Sequence, residues 1–425
     1  MTTDAEYREM IVQLMKGDRR MDWTVWPAVI YNSQLLTQKG KDAVLWARDV
    51  LQRTLGDNFI QEIEKRSMQH PIFSLDLWPA NDVPKVYVNL FQLAAQIELL
   101  EYAVGWAKVR NDLRTDLRLD RWVSTLLQLE VAGLGLRAEW QIELERPLPN
   151  TKKSDVSLAK GQAKLLVETK ALLLSGEEQE ESEYFLQMSG ALLQLALQYG
   201  VRITRTLGSH LPLDIQTQWL QEIKEEAIKT ADDGVKRVVQ GPVDGQLEIT
   251  KDETMPGISP MEGVLVETDV GKRLIDKLFK TNEQYENAGL AWVRVGDYVG
   301  LWHSSSLQGK TISEKLEILT PFLQQVLAIF PGLSGVIISP EVWPTANPLT
   351  NSIIEPDTHE GSFAVTCPIP GGNRIKETII VTQAGKFTEQ ARIFVDLYAN
   401  ENAWLNWALD KLGKPLLEEL VRLPE

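Results

Sequence analysis

A two-residue turn at Gly161-Gln162, set between two short apolar-patterned segments, constrains this chain more than any other feature. Glycine at the first central position is what a type II′ hairpin turn requires. On the first arm Val156 and Leu158 alternate with polar or small residues, and on the second Leu165, Leu166 and Val167 form an apolar run. Closing a hairpin at residues 161 and 162 pairs residues whose numbers sum to 161 + 162 = 323. Asp155 then falls opposite Glu168, and opposed residues share one face of the sheet. Lys170, two residues on, joins that face. Val156, Leu158, Leu165 and Val167 go to the other face, where they pack.

Two carboxylates whose Cβ atoms are about 5 Å apart repel unless a positive group sits between them. A hard cation such as Mg²⁺ takes oxygen ligands and keeps several waters. A metal-bound water is a stronger nucleophile, and the metal stabilises charge on a phosphoryl oxygen. A lysine beside it orients that water or neutralises developing charge. This is equipment for hydrolysing a phosphodiester.

The same residues carry a family resemblance. Asp155 followed by the strand-borne Glu168-Thr169-Lys170 resembles the motif of the PD-(D/E)XK nuclease superfamily, with Ser154 where the motif has proline. The resemblance implies Mg²⁺-dependent (or Mn²⁺-dependent) phosphodiester cleavage, with Asp155 and Glu168 as metal ligands and Lys170 as the catalytic lysine. It also implies an extra acidic ligand on the helix before the first strand, a position that Glu130 matches, and it points to Gln187 as a polar active-site residue. DNA is the expected substrate, and the large accessory regions favour a restriction or phage-defence effector.

The implied fold is α/β: a mixed central sheet with flanking helices in the order αβββαβ, as in restriction endonucleases. A helical N-terminal region and a C-terminal α+β region complete it. Helix 121–136 has Trp122, Leu126, Leu129, Gly133 and Leu136 on one face. In 139–145, Trp140, Ile142 and Leu144 alternate with outward Glu139, Glu143 and Glu145, a half-buried strand. The hairpin supplies the next two strands. A helix to Gln198, its first turn rich in Glu, and a strand at 201–207 complete the core. Domain boundaries are expected at 1–120 (helical), 121–345 (nuclease-like core with insertions) and 346–425 (strand and helix).

Elsewhere, residues 7–14 and 43–55 have helical spacing, and helices are expected at 86–109, 213–230, 269–285, 311–329 and 388–411. Leu290–Val295 and Tyr298–His303 around Gly296-Asp297 read as a second hairpin. Lys16, Arg19 and Arg20 form a small basic cluster. Arg110, Arg114, Arg118 and Arg121 recur near helical period, interleaved with Asp112, Asp116 and Asp120, which favours salt bridging along one helix.

The formal net charge of −15 argues against a protein coated with nucleic acid, though not against a local basic groove. A single cysteine, Cys367, excludes a disulfide framework and a cysteine-based zinc site. The four histidines are scattered without metal-ligand spacing. The N-terminus reads as lacking a signal peptide, and no apolar run approaches the roughly 18 residues of a membrane span. A cytoplasmic location without membrane partners is expected, with a protein partner or a homo-oligomer as further options. A second reading makes the hairpin face a cross-strand salt bridge in a non-catalytic interaction scaffold. A third is a degenerate nuclease fold that binds nucleic acid without cutting it.

Overall fold

The computed structural model of this chain describes residues 33–66, 84–172, 211–242, 245–252, 270–297, 310–340, 351–356, 361–368 and 374–422, with 257–258, 343–344, most of 191–206 and the single positions Trp23, Ile30, Tyr184, Met188 and Leu307. The helix expected at 7–14, the Lys16–Arg19–Arg20 cluster, the acidic run 177–183, Gln187, strand 298–303 and the four histidines lie outside the described residues.

The chain divides into two compact units, Met1–Leu173 with Val270–Glu425, and Leu174–Asp269. In the first, helices α1 (Gln38–Leu55), α2 (Phe59–Arg66), α3 (Pro84–Leu100), α4 (Trp106–Thr115) and α5 (Leu119–Arg137) lead into strands β1 (Gln141–Pro147), β2 (Lys153–Lys160) and β3 (Ala163–Leu172). The second unit holds β4 (Val201–Thr206), α6 (Leu213–Asp233), β5 (Arg237–Gln240), β6 (Gln246–Lys251) and β7 (Gly257–Ile258). The first unit then resumes with α7 (Val270–Tyr285), β8 (Ala291–Asp297), α8 (Ile312–Ile329), β9 (Leu333–Pro340), β10 (Trp343–Pro344), β11 (Ile353–Pro356), β12 (Ser362–Pro368), β13 (Arg374–Thr382), α9 (Thr388–Ala399), α10 (Trp404–Lys411) and α11 (Leu417–Leu420).

The first unit is a mixed sheet ordered β1-β2-β3-β8-β9-β13-β12-β11, with β10 on β13. The meander β1-β2-β3 is antiparallel, β3, β8 and β9 run parallel, and β13, β12 and β11 return antiparallel. Parallel strands need both faces covered. Val156, Leu158, Leu165, Val167 and Trp292 pack on one side with residues of α1, α3, α5, α9 and α10. Val293, Val295, Val336 and Ile338 pack on the other with residues of α7 and α8. This is why β8 is buried along its whole length. At Gly135 a Cβ would meet Leu158 Cδ2 at 2.7 Å, so glycine lets α5 lie close on β2.

The αβββ part of the expected order is present, but its completion is different. Strand β4 does not join the large sheet: it belongs to the separate sheet β5-β6-β4-β7, over a core that includes Met188, Leu192, Ile203, Trp219 and Ile249. The helix and strand that follow β3 in the large sheet are α7 and β8. The second hairpin is overturned as well. Strand β8 has β3 on one edge and β9 on the other, so neither edge is left for a partner at 298–303.

Helix 86–109 breaks after Leu100, because the Val104 carbonyl accepts the Leu144 amide at 2.8 Å. The arginine stripe therefore divides between α4 and α5, and Arg118 turns back onto Asp116 at 2.8 and 2.7 Å. Helix 388–411 breaks at a 3₁₀ turn over Glu401–Ala403, where Glu401 turns inward to Lys376. Compact units do not separate at 120 or 345, since β11, β12 and β13 extend the same sheet. Among the described residues, no helix is long and apolar enough to cross a membrane.

Candidate active site

The hairpin closes as its turn dictates. Val156 pairs with Val167 and Leu158 with Leu165, so the numbers sum to 323. Gly161 has φ 60° while Gln162 stays out of the left-handed region, the combination a type II′ turn uses. The ladder stops at Val156, one step short of the expected Asp155–Glu168 pair. There the Asp155 side chain takes over the pairing. Its Oδ2 accepts the Thr169 amide at 2.7 Å and lies 2.7 Å from the Thr169 hydroxyl. Its main-chain carbonyl accepts Gln128 Nε2 of α5 at 2.7 Å. Asp155 is thus held by β3 and α5 together, with Oδ1 outside any hydrogen bond among the described residues.

Glu168 and Lys170 share the α7 face, opposite the face of Val167 and Ala171. Glu168 is 3% exposed. Its Oε1 accepts Lys170 Nζ at 2.6 Å, and its Oε2 accepts the Tyr285 hydroxyl and Gln284 Nε2, each at 3.0 Å. Burial and the charge of Asp155 push its carboxyl up to about 7, against Lys170 and the Tyr285 hydrogen bond. Burial alone would lower Lys170, but Glu168 and Asp155 outweigh it and keep the ammonium charged. Burial and Glu168 raise Tyr285, which stays a neutral donor.

The last turn of α7, which presents Gln284 and Tyr285, is clamped by the loop before β2 and by the first residue of β2. Asn150 Nδ2 donates to the Gln284 carbonyl at 2.7 Å, and Gln284 Nε2 donates to the Lys153 carbonyl at 2.6 Å. On the far side Asn282 Oδ1 accepts the Gly332 amide at 2.9 Å. These contacts fix the two donors on Glu168.

Sequence alternation directs Glu145 outward, and the structure brings it in. Its φ of 51° lies within β1, and the pairing passes from Leu144–Val156 to Arg146–Ser154 around it. Oε1 accepts Gln128 Nε2 at 3.2 Å, and Lys153 Nζ lies 3.9 Å from Oε2. Burial and Asp155 raise its carboxyl. A non-glycine left-handed residue inside a strand is a local strain, and such strain collects at functional sites. Nothing in the alternating pattern signals it.

Glu130 is not brought to Asp155. Its Oε1 accepts Arg294 Nε at 3.1 Å and Nη2 at 3.0 Å, and its Oε2 accepts Lys376 Nζ at 3.0 Å. Lys376 also donates to Glu401 Oε1 at 2.7 Å. Burial would raise Glu130, but Arg294 and Lys376 hold it down at about 2. Arg294 alternates with Val293 and Val295, so this network lies on the face of the sheet opposite Glu168. The physical reason is helical spacing: Glu130 is two residues from Gln128, about 200° around α5 at 3.6 residues per turn. Its carboxylate is committed to two cations and is no metal ligand here.

Among the described residues, no group of three or more His, Cys, Asp or Glu side chains is arranged to hold a metal. Mg²⁺ needs fewer, since one or two carboxylates with waters suffice. Of the two carboxylates in the hairpin, Glu168 has both oxygens engaged by Lys170, Gln284 and Tyr285. Asp155 Oδ1 lies outside any hydrogen bond among the described residues, and the raised Glu168 reflects its burial first and the Asp155 charge second. An oxygen-only donor set suits Mg²⁺ or Mn²⁺ over zinc. Comparison of the chain with family models, with curated proteins and with solved structures finds no match.

Proposed function

We propose that this chain is a metal-dependent nuclease built on a restriction-endonuclease-like core, with α5-β1-β2-β3-α7-β8 as its αβββαβ order. The observation that carries the reading is Lys170 Nζ at 2.6 Å from Glu168, beside an Asp155 pinned at the open end of the same hairpin. Asp155 and Glu168 would hold Mg²⁺ or Mn²⁺, which when bound supplies an acidified water and offsets phosphoryl charge. Lys170, kept as an ammonium, neutralises charge developing on the phosphoryl oxygen and orients the attacking water. Gln284 and Tyr285 hold the Glu168 carboxylate in place, and Gln128 does the same for the Asp155 main chain. DNA is the proposed substrate, and a restriction or phage-defence effector the proposed role.

One observation favours a second reading, a nuclease-like fold that binds nucleic acid without cutting. Both Glu168 oxygens are already taken by protein donors, Lys170, Gln284 and Tyr285. Supercoiled plasmid incubated with Mg²⁺ separates the two. Nicking by the wild type that stops with EDTA and disappears in Asp155→Asn and Lys170→Ala supports the nuclease. Retention of plasmid without nicking supports the second reading.

A further inference from the structure

The β2–β3 ladder ends at Val156 and Val167, and beyond it a side chain of α7 spans the two strands. Gln284 Nε2 donates to the Lys153 carbonyl of β2 at 2.6 Å and to Glu168 Oε2 of β3 at 3.0 Å. Both partners are acceptors, so the amide must present its nitrogen here, and both of its N–H groups are used. The point that Nε2 fills therefore faces two oxygens, one from a carboxylate and one from a main-chain carbonyl. These are oxygen types that a hard divalent cation takes.

The other donors on Glu168 are less able to yield. Lys170 Nζ lies 2.6 Å from Oε1, so a cation added at that oxygen would sit beside an ammonium and be repelled. On Oε2 the neighbours are neutral. The Tyr285 hydroxyl and Gln284 Nε2, each at 3.0 Å, use both lone pairs of that oxygen. Tyr285 is wholly buried in the same core as Leu148 and Leu278, and its ring is fixed there. Gln284 is half-buried. Its main chain is held independently, by Asn150 Nδ2 on its carbonyl at 2.7 Å. A turn of the Gln284 side chain between staggered rotamers frees both oxygens and leaves α7 in place.

We propose that Gln284 is a gating residue: its amide holds the place of a divalent cation between β2 and β3 and turns away when Mg²⁺ or Mn²⁺ binds. The gate rests on the reading of Asp155 and Glu168 as metal ligands. Lys170 and Tyr285 keep their hydrogen bonds to Glu168 while Gln284 gives up its own. Cation binding then costs the two hydrogen bonds of the amide, so the gate weakens binding and removing it strengthens binding. A residue that only braced Glu168 would act with the opposite sign, because its loss would leave the ligand less well placed.

Calorimetric titration of Mn²⁺ into the full chain, without nucleic acid, reads that sign. Gln284→Met keeps the length of the side chain and removes both N–H donors, and Gln284→Ala removes the chain as well, so that a folding defect in one leaves the other to decide. Each should bind Mn²⁺ roughly tenfold more tightly than wild type, the factor for about one net hydrogen bond. Asp155→Asn should abolish binding in wild type and in the Gln284→Met background alike. Equal or weaker Mn²⁺ binding by the folded Gln284 variants overturns the gate alone, provided that Asp155→Asn still abolishes wild-type binding. A wild type and Gln284 variants that bind no Mn²⁺ overturn the gate and the metal reading together, as does binding that survives Asp155→Asn.

Discussion

Thr169 offers both its amide and its hydroxyl to a single oxygen of Asp155, each at 2.7 Å. The hydroxyl also lies 3.0 Å from the Ser124 carbonyl, and its one proton serves one acceptor at a time. Thr169→Val keeps the amide contact and strips both acceptors of the hydroxyl. A buried group left without its partner costs about 1–3 kcal/mol. Urea denaturation should register that loss, with a parallel fall in plasmid nicking. Unchanged stability would mean the hydroxyl does not hold Asp155.

Glu168 makes stability depend on pH in a set direction. Its carboxyl rises from the ordinary 4.5 to about 7 in the folded chain. The folded state therefore holds the proton more tightly, so stability is greatest below 4.5 and is lost as pH rises through about 7. Glu168→Gln removes the ionisation. Relative to wild type in EDTA, the variant should gain stability between pH 5 and pH 8, by up to on the order of 3 kcal/mol. Parallel urea midpoints across that window would count against a raised Glu168.

Tyr285 works on the same group from α7. Its hydroxyl at 3.0 Å favours the ionised Glu168. Tyr285→Phe deletes that bond and leaves the ring, so Glu168 should titrate at still higher pH. The acid limb of the kcat/KM profile should move upward, with the limb at high pH unmoved. A variant that loses rate equally at every pH would show a structural role only.

Glu130 is predicted to matter for the fold and not for the metal. Glu130→Ala leaves Arg294 and Lys376 buried without their shared carboxylate. Removing one partner of a buried pair costs about 3–5 kcal/mol. The Mg²⁺ concentration for half-maximal thermal stabilisation should be unchanged in this variant and raised in Asp155→Asn. A rise in both would return Glu130 to the ligand set.

What the sequence made legible follows from how local each signal is. The register of β2 and β3 depends on Gly161 and on alternation within 20 residues, so it could be read. Strand β8 depends on a partner far along the chain, and its buried run Ala291-Trp292-Val293 says nothing about which sheet it joins. Strand β4 carries an equally good strand pattern and belongs to another sheet. The separation of Glu130 from Asp155 was available from helical spacing, but it needed the positions of Arg294 and Lys376. Glu145 was hidden because a left-handed residue inside a strand has no compositional mark. Gln284 and Tyr285, which complete the Glu168 contacts, sit 116 and 117 positions away from it.

That separation has a consequence during synthesis. Until β8 exists, β3 is the outer strand of a three-stranded meander, with its free amides and carbonyls exposed as a template for stray pairing. The ribosome must add 117 residues after Glu168 before Tyr285 emerges. At about 5–20 residues per second that interval is roughly 6–23 s. A nascent chain therefore carries its two carboxylates, naked at a sheet edge, for seconds before α7 and β8 arrive to cover them.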